Sequence, residues 1–274
     1  MKQIYSPAVA LDFFKTAGKP EKAAMGNVFF AENQKARSLL FMRDRMYLLL
    51  DGEVDMVARG KVIGTVVKGQ VFGEMASIAH LPRSASAVAK SDCRVIAIDD
   101  KQFRAGLQKK PAFALMLMSI MIGRLRDTIA RLAEQTTLRG ESVVKESVVF
   151  DPKRLADLAE GLSSDEPVYY DRGKSIVQEG QTGLRMYAVL EGRVAVSITG
   201  SGVVERLGPG GVFGELALIE QTPRLASVVA ETDCQLLPIN RVAFELLVKT
   251  SPDFAESLLG SLAERLRLLT AKLK

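Results

Sequence analysis

The sequence predicts a mostly β protein that consists of two tandem copies of one unit, each followed by a helical tail. Residues 71–98 return as residues 212–239 with every position shifted by 141, and 15 of the 28 aligned positions are identical. Short apolar runs separated by glycine turns recur in the same order in both halves, as short antiparallel strands require. Because an internal repeat sets the architecture, we expect domains at residues 1–138 and 153–274, joined by a linker at 139–152.

Each copy is expected to begin with a short amphipathic helix, at residues 8–17 in the first and around 155–162 in the second. Strand–turn–strand patterns follow around Asp51-Gly52 and Glu191-Gly192. The first copy carries about seven extra residues around 34–44, and the second carries one extra residue in a turn. Both insertions fall at connections, where they leave a β fold intact.

The tails are predicted to be helical and to carry apolar stripes. In each tail a proline, Pro111 or Pro252, is placed for the first turn of the longer helix. Apolar residues recur there at alternating spacings of three and four: Leu115, Met118, Ile122, Leu125, Ile129 and Leu132, then Ala255, Leu259, Leu262, Leu266, Leu269 and Leu273. Such a stripe packs on the chain's own β unit or forms a homodimer through helix 113–134, and both interpretations stay open.

Charge and composition narrow the classes of partner. The net charge of +5 is uneven, because residues 1–140 carry 22 Lys/Arg against 13 Asp/Glu, whereas the rest carry 15 against 19. This asymmetry suits an acidic partner or contact between oppositely charged halves, but solvated charges explain it equally well. No Lys/Arg run is interleaved with aromatic residues, so a nucleic-acid groove is not expected.

The chain is expected to be cytoplasmic and without a membrane span. Its longest apolar run, residues 112–122, has 11 residues, whereas a membrane helix needs about 20. The first residues lack the apolar core and the cleavage site of a secretory signal. Residues 136–151, which include Gly140, predict an interrupted or flexible connection.

Catalysis is not expected. His80 is the only histidine, so a cluster of histidines and carboxylates for a metal cannot form. No Ser/His/Asp triad, Cys/His pair or P-loop is present either. The two cysteines, Cys93 and Cys234, occupy equivalent repeat positions and are expected to be buried. The sequence therefore predicts no catalytic residue, no metal ligand and no cofactor.

The repeated stretch places a glycine, a glutamate and an arginine at fixed spacing. Gly73-Glu74 and Gly214-Glu215 are each followed, nine residues after the glutamate, by an arginine behind a proline, Arg83 or Arg224. The glycine lets backbone approach a ligand and then open a short helix, whose free amides favour an anion. A guanidinium binds phosphate oxygens through charge-assisted hydrogen bonds, whereas a glutamate needs a donor such as a sugar hydroxyl. One small ligand with both groups is expected.

The pattern G-E-x-A-x(5)-P-R-x-A resembles the phosphate-binding cassette of cyclic nucleotide-binding domains. That family includes regulatory subunits of cAMP-dependent protein kinase, bacterial catabolite activator proteins and cyclic nucleotide-gated channels. The resemblance implies an antiparallel eight-stranded jelly-roll barrel with flanking helices in each copy. It also implies that the glutamates bind the ribose 2′-hydroxyl and the arginines the cyclic phosphate. The implied ligand-binding residues are Phe72, Gly73, Glu74, Met75, Ala76, Arg83, Ser84 and Ala85, and then Phe213, Gly214, Glu215, Leu216, Ala217, Arg224, Leu225 and Ala226.

The two cassettes differ in the residue after the arginine, which is Ser84 in the first and Leu225 in the second. In the family a threonine at this position is associated with cGMP, and neither copy has one. The resemblance therefore favours cAMP, while the hydroxyl of Ser84 leaves cGMP open for the first site. A lid over the base of the first site is expected from the tail helix, with Arg124, Thr128 and Arg131 as candidates.

The function that the resemblance implies is that of a non-catalytic receptor, which binds a 3′,5′-cyclic nucleotide in one or both copies. Helix movement would then signal to an unknown protein effector. We expect no helix-turn-helix, and the basic residues 35–38 match the inhibitor sequence of kinase regulatory subunits only faintly. One alternative is a scaffold whose pockets are empty or bind another ligand such as cyclic di-GMP. A weaker alternative is a nucleic-acid-associated protein that works through the basic first half.

Overall fold

The structure is a computed structural model, and it describes most of the chain, in the stretches 5–34, 44–79, 81–134, 146–162, 166–200 and 202–271. The chain packs as two compact units. The N-terminal unit contains residues 4–117 and 248–263, and the C-terminal unit contains residues 118–247 and 264–274. Because these limits follow packing rather than sequence similarity, the domain limits expected from the repeat stay a prediction. His80, residues 35–38 and residues 136–145, on which expectations were placed, lie outside the described residues.

The first copy of the repeat forms one helix, six strands, a second helix and two more strands, and two tail helices follow. Their bounds are α1 Pro7–Ala17, β1 Lys19–Ala23, β2 Val28–Phe30, β3 Arg45–Asp51, β4 Val54–Ala58, β5 Lys61–Val66, β6 Val71–Phe72, α2 Glu74–Ala79, β7 Ser86–Ala89, β8 Cys93–Asp99, α3 Asp100–Lys109 and α4 Ala112–Glu134.

The second copy repeats this order after one additional short strand. Its elements are β9 Glu146–Ser147, α5 Pro152–Gly161, β10 Val168–Tyr170, β11 Ser175–Val177, β12 Arg185–Glu191, β13 Val194–Ile198, β14 Gly202–Leu207, β15 Val212–Phe213, α6 Glu215–Glu220, β16 Ser227–Ala230, β17 Cys234–Asn240, α7 Arg241–Thr250 and α8 Pro252–Ala271.

The strands of each copy form two sheets with the same strand order. In the first copy the orders are β1-β8-β3-β6 and β2-β7-β4-β5, and in the second they are β10-β17-β12-β15 and β11-β16-β13-β14-β9. All pairings are antiparallel except that of β9 with β14. Two four-stranded sheets connected in this order form a jelly roll, so the predicted fold class is confirmed.

The two copies share an irregularity and an aromatic contact in the equivalent strands β3 and β12. In β3 the pairing with β8 shifts register between Leu49 and Asp51, and in β12 the pairing with β17 shifts between Val189 and Glu191. A register shift at the same place in both copies is typical of a β-bulge, which bends a strand. The same strands carry Tyr47 and Tyr187, whose rings stack on Phe72 and Phe213 with centroids 5.0 and 5.3 Å apart. These stacked pairs anchor the backbone immediately before each Gly-Glu dipeptide.

Capping residues explain where several helices begin. Ser6 and Asp151 cap α1 and α5, and each is followed by a proline at the first helical position. Asp99 and Gln102 form a capping box at the start of α3. The predicted helices therefore begin within a few residues of the observed ones. Both cysteines are buried and free, as expected.

The sequence did not predict the edge strands β1 and β10. Strand β1 has the sequence KPEKA and is mostly exposed, and it pairs with β8 along its full length. Charged residues and a proline are typical of edge strands, because they discourage pairing with other chains, but they also remove the alternating apolar pattern. Strand β9 was likewise not expected, and it adds a parallel fifth strand to one sheet of the second copy.

The apolar stripe of α4 is buried within this chain. Met118 and Ile122 are fully buried and Leu125 is 2% exposed. These three residues belong to the part of α4 that packs in the C-terminal unit. No helix in the described stretches has the length and apolarity to cross a membrane.

Candidate cyclic nucleotide site

Each cassette begins with a glycine in the left-handed region, followed directly by a short helix. Gly73 has φ of +78° and Gly214 has φ of +84°, and helices α2 and α6 begin at the next residue, Glu74 or Glu215. A Cβ atom at Gly73 would lie 2.9 Å from the ring of Phe30 and 3.0 Å from Arg83 Nη1. The glycine therefore permits the turn into the short helix, which the sequence predicted, and also the close approach of the arginine, which it did not.

Arg83 is held against the backbone at the base of the first cassette and is 4% exposed. Its Nη1 donates to the Gly73 carbonyl at 2.6 Å and its Nη2 to the Arg45 carbonyl at 2.8 Å. Nη2 also lies 3.2 Å from Asp44 Oδ1, and the guanidinium carbon is 4.2 Å from the centroid of the Phe30 ring. Burial lowers the pKa of Arg83, and the negative charge of Asp44 opposes that shift. Nε is buried and has no hydrogen-bond partner within the described stretches.

Arg224 repeats the backbone contacts of Arg83 but, among the residues that the structure describes, not its ion pair. Nη1 donates to the Gly214 carbonyl at 2.7 Å and Nη2 to the Arg185 carbonyl at 2.6 Å. The residue before Arg185 is Leu184, which is 84% exposed, where the first copy has Asp44 before Arg45. A Cβ atom at Gly183 would clash with the Arg224 guanidinium. Burial lowers the pKa of Arg224, and electrostatic interactions with Tyr187 and Glu215 oppose that shift.

Arg265, on α8, contacts the glutamate of the second cassette, and the sequence did not predict this. Its guanidinium forms an ion pair with Glu215, lies 3.1 Å from a carboxylate oxygen of Glu205, and donates to the Val212 carbonyl at 2.6 Å. Burial raises the pKa of Glu215, opposed by the charge of Arg265. Burial alone would lower the pKa of Arg265, but the charges of Glu205 and Glu215 raise it above its ordinary value.

All eight residues predicted for the second site line one cavity of about 170 Å³. Its charged lining residues are Glu215 and Arg224 of the cassette, Glu205 of β14 and Arg265 of α8. The remaining lining is largely apolar and comes from strands β11, β13, β14 and β16 and from two helices, α4 and α8. The helical part consists of Leu125 and Ile129 on α4 and Leu268 and Leu269 on α8. The predicted residues are thus brought together, and the lining from α4 was not foreseen.

The first cassette is packed differently. Phe72, Glu74, Ala76, Arg83 and Ala85 are buried, whereas Ser84 is exposed. Gly73 and Met75 are half-buried. A cavity of about 590 Å³ in this unit reaches Arg83 from the side of Asp44 and Tyr47, and its lining contains none of the other seven predicted residues. Arg83 is therefore the predicted residue that the structure places beside this open space.

The residues considered for the lid of the first site belong to the C-terminal unit, and their role at the first site stays a prediction. Arg124, Thr128 and Arg131 belong to residues 118–134 of α4, in the C-terminal unit, whereas the first cassette belongs to the N-terminal unit. The Thr128 hydroxyl donates to the Arg124 carbonyl at 2.8 Å, and Arg124 and Arg131 are exposed. Among the described residues no group of three or more histidine, cysteine or acidic side chains is arranged to hold a metal ion.

Comparison with known proteins identifies relatives across most of the chain. Two curated relatives are the cAMP-dependent protein kinase regulatory subunits of Eremothecium gossypii and Debaryomyces hansenii, with 31% identity over 205 residues and 30% over 216. The matches cover 75% and 78% of this chain but 40% and 43% of the relatives. The chain thus spans about two fifths of the length of these proteins.

Solved structures with related folds include the Thermus thermophilus catabolite activator protein, at 34% identity over 45% of this chain and 59% of that one, with a TM-score of 0.39. The regulatory subunit of a cAMP-independent protein kinase A from Trypanosoma brucei is 20% identical over 90% of this chain and 86% of that one, with a TM-score of 0.32. The family model described as cyclic nucleotide-binding domain matches residues 21–110 and 167–251. Two matches that together cover more than half of the sequence show that the chain belongs to the cyclic nucleotide-binding domain family.

Proposed function

We propose that the protein is a non-catalytic receptor that binds a 3′,5′-cyclic nucleotide, with cAMP favoured, in the cavity of the second cassette and at the first cassette. Arg224 is the observation that supports this most strongly. It is a buried cation whose hydrogen bonds within the described stretches go to neutral carbonyls, at a cavity wall shared with Glu215. A buried charge is costly without a partner of opposite sign, and a cyclic phosphate would supply that partner.

The remaining groups suit the rest of such a ligand. Glu215 lies at the start of α6, beside Arg224. In the family that the chain belongs to, the glutamate at this position accepts a hydrogen bond from the ribose hydroxyl, and we propose the same role for Glu215. Neither cassette has the threonine associated with cGMP in that family, which favours cAMP over cGMP. The exposed hydroxyl of Ser84 keeps cGMP open for the first site.

The two sites should differ in affinity for an anion. Arg83 already faces Asp44 at 3.2 Å, whereas the second copy has Leu184 in the position of Asp44. A ligand phosphate at the first site therefore approaches a guanidinium that is partly neutralised. We propose that the second site is the tighter one.

Titration calorimetry with cAMP tests the assignment. Removing a desolvated guanidinium that faces a phosphate costs about 2–5 kcal/mol, or about thirtyfold to several thousandfold in affinity. Arg83→Ala and Arg224→Ala should each remove one site. Arg172→Ala, at an exposed position whose backbone nitrogen donates to Asp233, should bind as the unaltered protein does. Unchanged cAMP binding in the double variant would contradict the site assignment.

A scaffold is the second candidate, because Arg265 pairs with Glu215, the group that would bind the ribose. Failure of cAMP, cGMP and cyclic di-GMP to bind would favour it. Since the two curated relatives are kinase regulatory subunits, a kinase catalytic subunit is the first protein to test as the effector. A cytoplasmic location and the absence of nucleic-acid binding stay predictions.

A further inference from the structure

The helix that follows the first cassette in sequence lines the cavity of the second. Residues 118–134 of α4 belong to the C-terminal unit, and two of their side chains, Leu125 and Ile129, lie in the wall of its cavity. Leu125 is 2% exposed and Ile129 is half-buried. An equivalent wall comes from Leu268 and Leu269 of α8. Two helices therefore contribute four aliphatic side chains to the cavity wall.

The charged groups of the cavity wall come from the cassette, from β14 and from the preceding turn of α8. Arg224 and Glu215 both belong to the cassette. A ligand with a charged end and a flat apolar end has one favourable orientation in this space, with its phosphate and sugar at the cassette and its base against the helices. Burial of the base against aliphatic side chains is favourable because it removes apolar surface from water.

A side-chain clamp ties α4 to the second cassette. Arg126 Nε lies 2.6 Å from Glu220 Oε2, and another nitrogen of the same guanidinium donates to the Thr222 hydroxyl. Glu220 is the last residue of α6, and Thr222 lies two residues before Arg224. The Glu220 side chain is only 13% exposed, so the ion pair is shielded from solvent more than an ordinary surface pair. Arg126 is adjacent in sequence to Leu125, so the clamp fixes the lining residues relative to the cassette.

We propose that α4 is the lid of the second ligand cavity, that Leu125 and Ile129 cover the base, and that Arg126 is the positioning residue that holds this lid on the cassette. This inference rests on the proposed function, because it assigns a role to the base of the proposed ligand. The lid of the second site is thus supplied by the tail of the first copy, together with α8.

The experiment uses the full chain with Arg83→Ala, so that binding reports the second site alone. Two probes are compared, cAMP and ribose 3′,5′-cyclic phosphate, which has the same phosphate and sugar but no base. Ile129→Ala should weaken cAMP binding about tenfold, because it removes apolar surface from the base, and should leave the baseless probe within about twofold. Arg126→Met should likewise weaken cAMP about tenfold, mainly through faster dissociation, with little effect on the baseless probe. Arg131→Met, an exposed position on the same helix, is the control and should change neither.

The outcomes separate this inference from the function on which it rests. If Ile129→Ala or Arg126→Met weakens both probes equally, the residue acts on the cassette rather than on the base, and the lid is wrong. Cyclic AMP binding that both variants leave unchanged would also overturn the lid while the receptor function stands. If the Arg83→Ala protein binds neither probe, whereas the chain folds normally, the proposed function of the second site and the lid fail together.

Discussion

Arg265 is the basic residue that pairs with both carboxylates in the wall of the second cavity. It forms an ion pair with Glu215, which is 1% exposed, and a second ion pair with Glu205. Burial of a carboxylate is costly, and a guanidinium at hydrogen-bond distance is what offsets the cost. The same guanidinium donates to the backbone of β15, at Val212, so it also fixes the strand that leads into the cassette.

Arg265→Met should destabilise the C-terminal unit by about 3–5 kcal/mol at pH 7, because Glu215 would lose its buried counter-charge. Burial raises the pKa of Glu215 in the folded protein, and loss of Arg265 would raise it further. When the pKa of a carboxyl is higher in the folded than in the unfolded protein, the folded state binds the proton more tightly. The free energy of unfolding then falls as the pH rises above the unfolded pKa. The variant should therefore be closer in stability to the unaltered protein at pH 5 than at pH 7.

Denaturant unfolding at the two pH values measures this difference. Arg267→Met, an exposed position two residues along the same helix, is the matched control and should change stability little at either pH. Glu215→Gln added to Arg265→Met should recover part of the loss at pH 7, because it removes the unpaired charge. An Arg265→Met variant whose deficit is the same at pH 5 and pH 7 would contradict the role given to the buried pair.

The segment from β9 to α5 was predicted to be a connection, but part of it belongs to a sheet. Strand β9 pairs in parallel with β14, and the backbone nitrogens of Val149 and Phe150 both donate to the Gly210 carbonyl at 3.0 Å. The Phe150 side chain is 3% exposed, whereas Val148, two residues earlier, is 60% exposed. Besides these backbone contacts, the Phe150 side chain is therefore the most buried one in residues 148–150.

Phe150→Ala should lower the free energy of unfolding by about 3–5 kcal/mol, because it removes a buried aromatic ring and leaves a cavity. Val148→Ala, in the same segment, should change it by less than about 0.5 kcal/mol, since that side chain is already in solvent. Denaturant unfolding of both variants, followed by circular dichroism, gives the comparison. Equal effects of the two substitutions would show that Phe150 does not anchor the segment.

Sequence patterns predicted the elements far better than the contacts between distant elements. The repeat, the glycine turns and the helical tails were all foreseen, because each depends on residues close in sequence. Edge strand β1 was missed since its charged sequence lacks an alternating pattern. The partner of Glu215 was missed because Arg265 lies 50 positions away on another element. Likewise, an apolar stripe shows which side of α4 is buried but not what covers it.

The burial of the apolar stripe of α4 affects whether two copies of the molecule can associate through this helix. The sequence left two interpretations open, packing within the chain or a homodimer through helix 113–134. Met118 and Ile122 are fully buried in a single chain, so a dimer through this stripe would first have to expose them to water. Exposed apolar residues occur at several other places, among them Val62 and Ile63 on β5, which are 59% and 65% exposed. In the described part of the chain β5 ends its sheet, whereas its counterpart β14 is covered by β9.

We therefore expect a monomer with a mass near 29.8 kDa at micromolar concentration, and sedimentation equilibrium measures this directly. If the protein associates at higher concentration, the exposed edge of β5 should be responsible, because an unpaired strand with apolar side chains is a template for pairing with another chain. Ile63→Asp should then suppress association, whereas Val242→Asp, which replaces an even more exposed apolar residue on α7, should not. A dimer at micromolar concentration that Ile63→Asp leaves intact would contradict this view and return attention to the helices.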